Sequence, residues 1–148
     1  MSKKILVLIF VIIFSNSLLA NENQKKQIEA RLISTTLYQL FNHKLKIYTD
    51  TKHIREVVKM SEGKLELAIN CQKSDLVIAD KIPKSCEKKI CLFFTYDYQF
   101  LKNNKNVLGG LFWAKNRVKL IFVRERLEEY GISVPRELEK YLEYMEYL

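Results

Sequence analysis

Three cysteines, Cys71, Cys86 and Cys91, carry the most pointed chemistry in this sequence. In an oxidising compartment thiols pair, so three of them give one disulfide and one thiol left over. Cys71 and Cys86 flank the apolar run at 75–79 and would staple the connections at its two ends, which makes them the expected pair. Cys86 with Cys91, closing a small loop, is the alternative. Cys91 sits in an apolar stretch, where a buried, inert thiol is the usual outcome. A redox-catalytic pair would read Cys-x-x-Cys, a spacing that the chain lacks. The two histidines, His43 and His53, fit neither a metal-ligand spacing nor a nucleophile signature. Two cysteines and a histidine have the soft-donor chemistry that suits zinc, but no local spacing gathers them, so no metal and no cofactor is expected.

The acidic residues are no more suggestive of catalysis. Glu128, Glu129, Glu137, Glu139, Glu143 and Glu146 fall on patterns that face solvent rather than forming a paired-carboxylate site. Gly109-Gly110 runs into Leu111-Phe112-Trp113 and not into a phosphate-loop pattern, so the glycines point to a bulge or a close backbone approach. No nucleophile, base and oxyanion donor assemble, and an enzyme is not expected. Aromatic residues are the remaining feature. Tyr141, Tyr144, Met145 and Tyr147 broaden an apolar stripe at the end of the chain, and Trp113 lies near Tyr96, Tyr98 and Phe100. Tyrosine is favoured where one end of a ring is buried and the other wet. These residues are therefore interface candidates, with core packing as the plain structural alternative.

The elements that must position these groups alternate. At 27–42 Ala30, Ile33, Leu37, Leu40 and Phe41 recur at helical spacing, with Lys26, Glu29 and Arg31 placed elsewhere on the wheel. Leu45-Lys46-Ile47-Tyr48 reads as a strand, Thr49-Asp50-Thr51 as a cap, and Ile54, Val57 and Val58 as one helix face. Ser61-Glu62-Gly63 stops that helix, and Leu65, Leu67 and Ile69 alternate as a second strand. The run 75–80 is expected to be a central strand buried on both faces, and 90–94 another buried strand. A short helix follows at 96–101. A hairpin spans 107–123 with Asn116 in its turn, a helix covers 124–130 with Gly131 as its cap, and Pro135 opens a last helix reaching about Tyr147. The expected fold class is a single α/β domain with a mainly parallel sheet, an antiparallel C-terminal hairpin and flanking helices.

Residues 1–20 read as a cleavable secretory signal peptide: Lys3-Lys4, an uninterrupted apolar run at 5–14, and Ala20 at the cleavage point. The apolar run is too short for a spanning helix. The organisation is therefore signal peptide 1–20 and one α/β domain 21–148, exported to a periplasm. The net charge of +8 includes Lys3 and Lys4, and their removal leaves a mature chain at +6. In an exported protein that charge implies acidic envelope partners, and nucleic acid is not expected as a partner. The charge is also uneven, with a basic body and an acidic tail beyond residue 123. After cleavage no stable membrane insertion is expected.

The order of elements is informative. A leading amphipathic helix is followed by Cys71 before a buried strand, a strand at 90–94 leading into Thr95-Tyr96-Asp97, then Phe100 and Gly109-Gly110. A hairpin strand Arg117-Val118-Lys119-Leu120-Ile121-Phe122 follows, and Tyr130-Gly131-Ile132 precedes a leucine-rich end. In these features the chain resembles the YfiR-like family, small exported proteins that restrain a membrane diguanylate cyclase. Val123-Arg124 stands where family members carry an Asn that starts the next helix. The resemblance implies a periplasmic regulator that forms a homodimer, whose binding to the exported domain of a membrane signalling protein responds to redox state or envelope stress, with cysteine pairing stabilising it.

The leading expectation is thus a non-catalytic periplasmic regulatory protein that acts by protein–protein interaction. The alternative is a solute-binding module resembling one lobe of a periplasmic binding protein, with its ligand outside the strand carboxyl ends near Thr49-Asp50, Asp80 and Thr95. An enzyme acting on envelope polymers through Asp50, Asp80 or His53 ranks third.

Overall fold

The apolar stripe of the first amphipathic segment lies on helix α1 (Lys3–Phe41), where Ala30, Ile33, Leu37 and Leu40 are buried. The helix ends in a left-handed residue, Asn42 with φ 58°, whose N–H donates to the Tyr38 carbonyl at 2.8 Å. Asparagine tolerates that conformation because its short polar side chain bonds locally. The computed structural model describes residues 3–88 and 90–148, with side chains from Asn21 onward. The signal peptide expected at 1–20 lies outside the residues whose side chains are described. No helix among the described residues is long and apolar enough to cross a membrane.

After α1 the chain lays down strand β1 (Leu45–Tyr48), helix α2 (Lys52–Lys59) and strands β2 (Leu65–Leu67), β3 (Leu76–Ile78) and β4 (Phe93–Thr95). Helix α3 (Tyr98–Asn103), strands β5 (Val107–Ala114) and β6 (Arg117–Val123), helix α4 (Arg124–Glu129) and strand β7 (Leu142–Glu143) complete it. The strands form one sheet in the order β2-β1-β3-β4-β5-β6-β7. Every neighbouring pair is parallel except β5 with β6. The fold is therefore α/β with a mainly parallel sheet, one antiparallel hairpin and flanking helices.

Alternating side chains of the sheet fill two separate cores. Ile47, Leu76, Ile78, Phe94 and Phe122 face α1 and α2, while Val77, Phe93, Val107 and Val123 pack with Leu101 of α3 and the three cysteines. Both faces are covered, so β3 and β4 are buried at every position. The hairpin turn places Lys115 at φ 50° and Asn116 at φ 60°, so both residues take the left-handed form of a tight two-residue turn.

The glycine pair answers to close approach. A Cβ on Gly109 would stand 2.4 Å from the Ile121 carbonyl oxygen, and one on Gly110 would stand 2.8 Å from that of Thr95. At the same place the β4–β5 register slips, Phe93 pairing with Val107 and Phe94 with Gly109. Of the two readings of Gly109-Gly110, a bulge or a close backbone approach, the close approach is present, with a break in register beside it.

Four expectations need correction. The short helix expected at 96–101 runs over Tyr98–Asn103, because the Asp97 side chain accepts from the Phe100 N–H and sets its start. Strand β2 stops at Leu67, and Ile69 is exposed beyond it. Strand β4 begins at Phe93, with Ile90 exposed ahead of it. The largest correction is at the end of the chain, where the helix expected from Pro135 to Tyr147 does not form. There is instead a 3-10 segment Arg136–Tyr141, strand β7, and a 3-10 turn Met145–Tyr147. The reason is pairing: Phe122 and Val123 of β6 need a neighbour on their open side and take Leu142 and Glu143. Leu138 and Tyr141, three apart, suit a 3-10 turn as well as an α-helix, so their spacing alone does not choose.

Candidate functional site

Parallel α/β sheets bind ligands outside the carboxyl ends of their strands, where the strand order changes direction. Here the order turns between β1 and β3, because the chain steps outward from β1 to β2 and then back across to β3, β4 and β5. Thr49-Asp50-Thr51 follows β1, Ala79-Asp80 follows β3, and Thr95-Tyr96 closes β4. The expected placement of Thr49, Asp50, Asp80 and Thr95 at strand carboxyl ends is correct. Asp80 Oδ1 accepts from Thr95 Oγ1 at 3.1 Å and from the Tyr96 N–H at 3.0 Å, tying the end of β3 to the end of β4.

At the centre of this end of the sheet is Glu29, which is 3% exposed. Its Oε2 accepts from His53 Nε2 at 2.7 Å and from the Tyr96 hydroxyl at 3.0 Å, and its Oε1 accepts from Trp113 Nε1 at 2.7 Å. Four elements converge on one carboxylate: α1 with Glu29, the first turn of α2 with His53, the exit of β4 with Tyr96, and the last turns of β5 with Trp113. A carboxylate only accepts, so each partner must donate, and the histidine carries its proton on Nε2. The Lys25 ammonium lies 5.2 Å from the centre of the Trp113 ring, a cation–π contact. Burial, with the charge of Glu29 and its hydrogen bond adding to it, pushes the Tyr96 hydroxyl well above the ordinary phenol range, so Tyr96 stays a donor.

Beside the cluster is an open depression of about 500 Å³ walled by Tyr96, Asp97, Tyr98, Phe112, Trp113 and Lys119. Tyr98 and Phe112 meet edge to face across it, with ring centres 5.6 Å apart. Elsewhere Arg126 is buried and donates to the carbonyls of Leu101 at 2.6 Å and Val107 at 2.7 Å, joining the end of α3 to the start of β5. That burial pulls the guanidinium below its ordinary pKa.

Glu29 is the buried acid that spacing assigned to the wrong side of its helix. Far from lying elsewhere on the wheel, it stands four residues before Ile33 and eight before Leu37, in register with the buried stripe. That register is the signal that would have found it: an acid inside an apolar stripe is costly unless several donors meet it.

The other candidates are placed as follows. Cys71 and Cys86 are joined, with Cα atoms 5.5 Å apart, as the flanking positions suggested. Cys91 is buried beside them, its Sγ 3.2 Å from that of Cys71. The three sulfurs lie within 4.8 Å of one another, so the grouping of soft ligands is all cysteine, and neither histidine joins it. His43 is exposed, and its Nδ1 donates to the neighbouring Lys44 carbonyl at 2.8 Å. Tyr141 packs partly buried against the larger core, whereas Tyr144, Met145 and Tyr147 are exposed. Trp113, grouped with them as an interface candidate, belongs to the Glu29 cluster.

Comparison with protein-family models and with curated proteins gives no match to this chain.

Proposed function

We propose that this chain is a non-catalytic exported regulatory protein that docks on the exported domain of a membrane signalling protein, a diguanylate cyclase being the type that the YfiR-like resemblance implies. One observation carries the reading: Tyr144, Met145 and Tyr147 are 48%, 51% and 67% exposed within four residues of one another. They adjoin β7, the last strand of the sheet, whose outer edge has no strand beside it among the described residues. Arg124 lies 5.3 Å from the Tyr144 ring centre, and Tyr144 meets Tyr147 edge to face at 6.3 Å. Tyrosine, methionine and arginine are the residues enriched where proteins meet, and an open edge strand is a ready template for a further strand. A homodimer through the same edge is the competing occupant.

The test is cross-linked recovery from membranes, with the mature chain as bait. The intact chain is expected to recover an inner-membrane signalling protein. The double variant Tyr144→Ser, Tyr147→Ser is expected to lose at least about tenfold of it, as for two anchor side chains worth about 1 kcal/mol or more each, while melting at an unchanged temperature. Equal recovery by both chains, or recovery of no such protein by the folded bait, ends the proposal.

A second reading, solute binding at the carboxyl end of the sheet, is favoured by the aromatic depression beside Glu29. Its support would be a small polar or aromatic solute that raises the melting temperature of the chain and fails to do so after Trp113→Ala. A panel of such solutes without effect would sink it.

A further inference from the structure

We propose that Cys71 is the shared sulfur of two alternative disulfides and that the three cysteines form an internal thiol–disulfide exchange site. The inference rests on sulfur geometry and is independent of the partner proposed above. Cys71 is bridged to Cys86, and the Cys91 Sγ stands 3.2 Å from the same sulfur. With all three sulfurs inside 4.8 Å, either bridge can form by small side-chain rotations while the surrounding strands stay in place.

In the exchange, Cys91 gives its proton to water and the thiolate attacks Cys71 Sγ. The Cys71–Cys91 bond forms as the Cys71–Cys86 bond breaks, and the electron pair leaves on Cys86 Sγ, which takes up a proton. Nothing is oxidised or reduced overall, so no outside oxidant is needed. Chain length does not decide between the bridges, because loops of 15 and 20 residues differ little in closure entropy. Water has a route to the reacting atoms: Cys86 and Cys91 both line an open depression of about 320 Å³ together with Ile82, Lys88 and Ile90. Cys91, at 6% exposed, is the most accessible of the three.

The two bridges hold different parts of the molecule. Cys71–Cys86 ties the 3-10 turn Cys71–Lys73 to the 3-10 turn Lys84–Cys86, whereas Cys71–Cys91 ties it to the entry of β4. Exchange therefore frees the connection that starts at Asp80, the carboxylate that holds Thr95 and Tyr96 beside the Glu29 cluster.

The test is a pulse of iodoacetamide on the oxidised, folded chain at mildly alkaline pH, followed by non-reducing peptide mapping. Label is expected on both Cys91 and Cys86, within about tenfold of each other as near-equal loop closure implies, with Cys71 always bridged. Peptides joined through Cys71 and Cys91 should carry the labelled Cys86. Label confined to Cys91 overturns the proposal. The variant Cys86→Ser supplies the second measurement: refolded in air, it is expected to join Cys71 to Cys91, and a folded variant with two alkylatable thiols overturns the proposal. If that variant does not fold, the map of the natural chain decides alone.

Discussion

Glu29 costs stability by being buried and returns it through three donors. A buried carboxylate is tolerated when charge-assisted hydrogen bonds replace its water, and His53, Tyr96 and Trp113 supply them. Removing the acceptor strands all three donors at once. Glu29→Ala is therefore expected to lower unfolding stability by about 2–4 kcal/mol, read from urea denaturation. Trp113→Phe, which removes one donor and leaves the carboxylate two, should cost less than half as much. A loss below about 1 kcal/mol for Glu29→Ala would mean that water rehydrates the donors and that the cluster is not a buried hub. At this scale the sequence was legible in part. The pairing of Cys71 with Cys86 and the close approach at Gly109-Gly110 could be read from neighbours in the chain. The cluster could not, because Glu29, His53, Tyr96 and Trp113 are far apart in sequence and meet only once the sheet has set its order.

Between elements, the clearest polar joint is that of α1 with α2, where the Lys26 ammonium donates to Glu56 Oε2. The hydrogen bond to Lys26 holds the Glu56 carboxyl below its ordinary value of 4.5, and the same bond holds Lys26 above its ordinary 10.5. The signs follow from these directions. A lowered carboxylate stabilises the fold fully above its ordinary value and loses that contribution as pH falls through the folded value. A raised lysine stabilises fully below its ordinary value and loses that contribution only as pH rises through the folded one. The joint is complete across neutral pH. The melting-temperature gap between the natural chain and Glu56→Gln is thus expected to be widest near neutrality and to close as the pH drops to about 3, below the ordinary carboxylate range. A gap that stays constant down to that pH would show that the charge of Glu56 contributes nothing. The element boundaries were legible where a local device marks them, as at Asn42, Gly63 and Gly131, each with positive φ; the Asp97 side chain that accepts from the Phe100 N–H to start α3 went unread, so that helix was expected to begin at Tyr96. They were not legible from Arg136 onward. There the spacing of Leu138, Tyr141, Leu142 and Met145 satisfies a helix, and only the unpaired side of β6 decides for a strand.

For the molecule as a whole, α/β class and parallel pairing were legible from alternation of short apolar runs with helical stripes, because strands buried on both faces need helices between them. The sheet order was not, since it depends on which edge each connection returns to. That order places the acidic, tyrosine-bearing end of the chain at one edge of the sheet and the Glu29 cluster at the carboxyl ends of its middle strands. A partner at the edge and a solute at the strand ends would therefore occupy different faces, and a variant that disturbs one need not disturb the other. The cluster also gives the molecule a property of another kind. Trp113 is the only tryptophan in the chain, and its indole N–H is held by Glu29. Excited in the ultraviolet beyond the tyrosine band, the protein emits from one place, and that place is the crevice. Whatever reaches the Glu29 carboxylate, be it a proton, a solute or a shift of the Asp80 connection, alters the colour or brightness of that intrinsic fluorescence, so the site comes with its own optical gauge and needs no attached label.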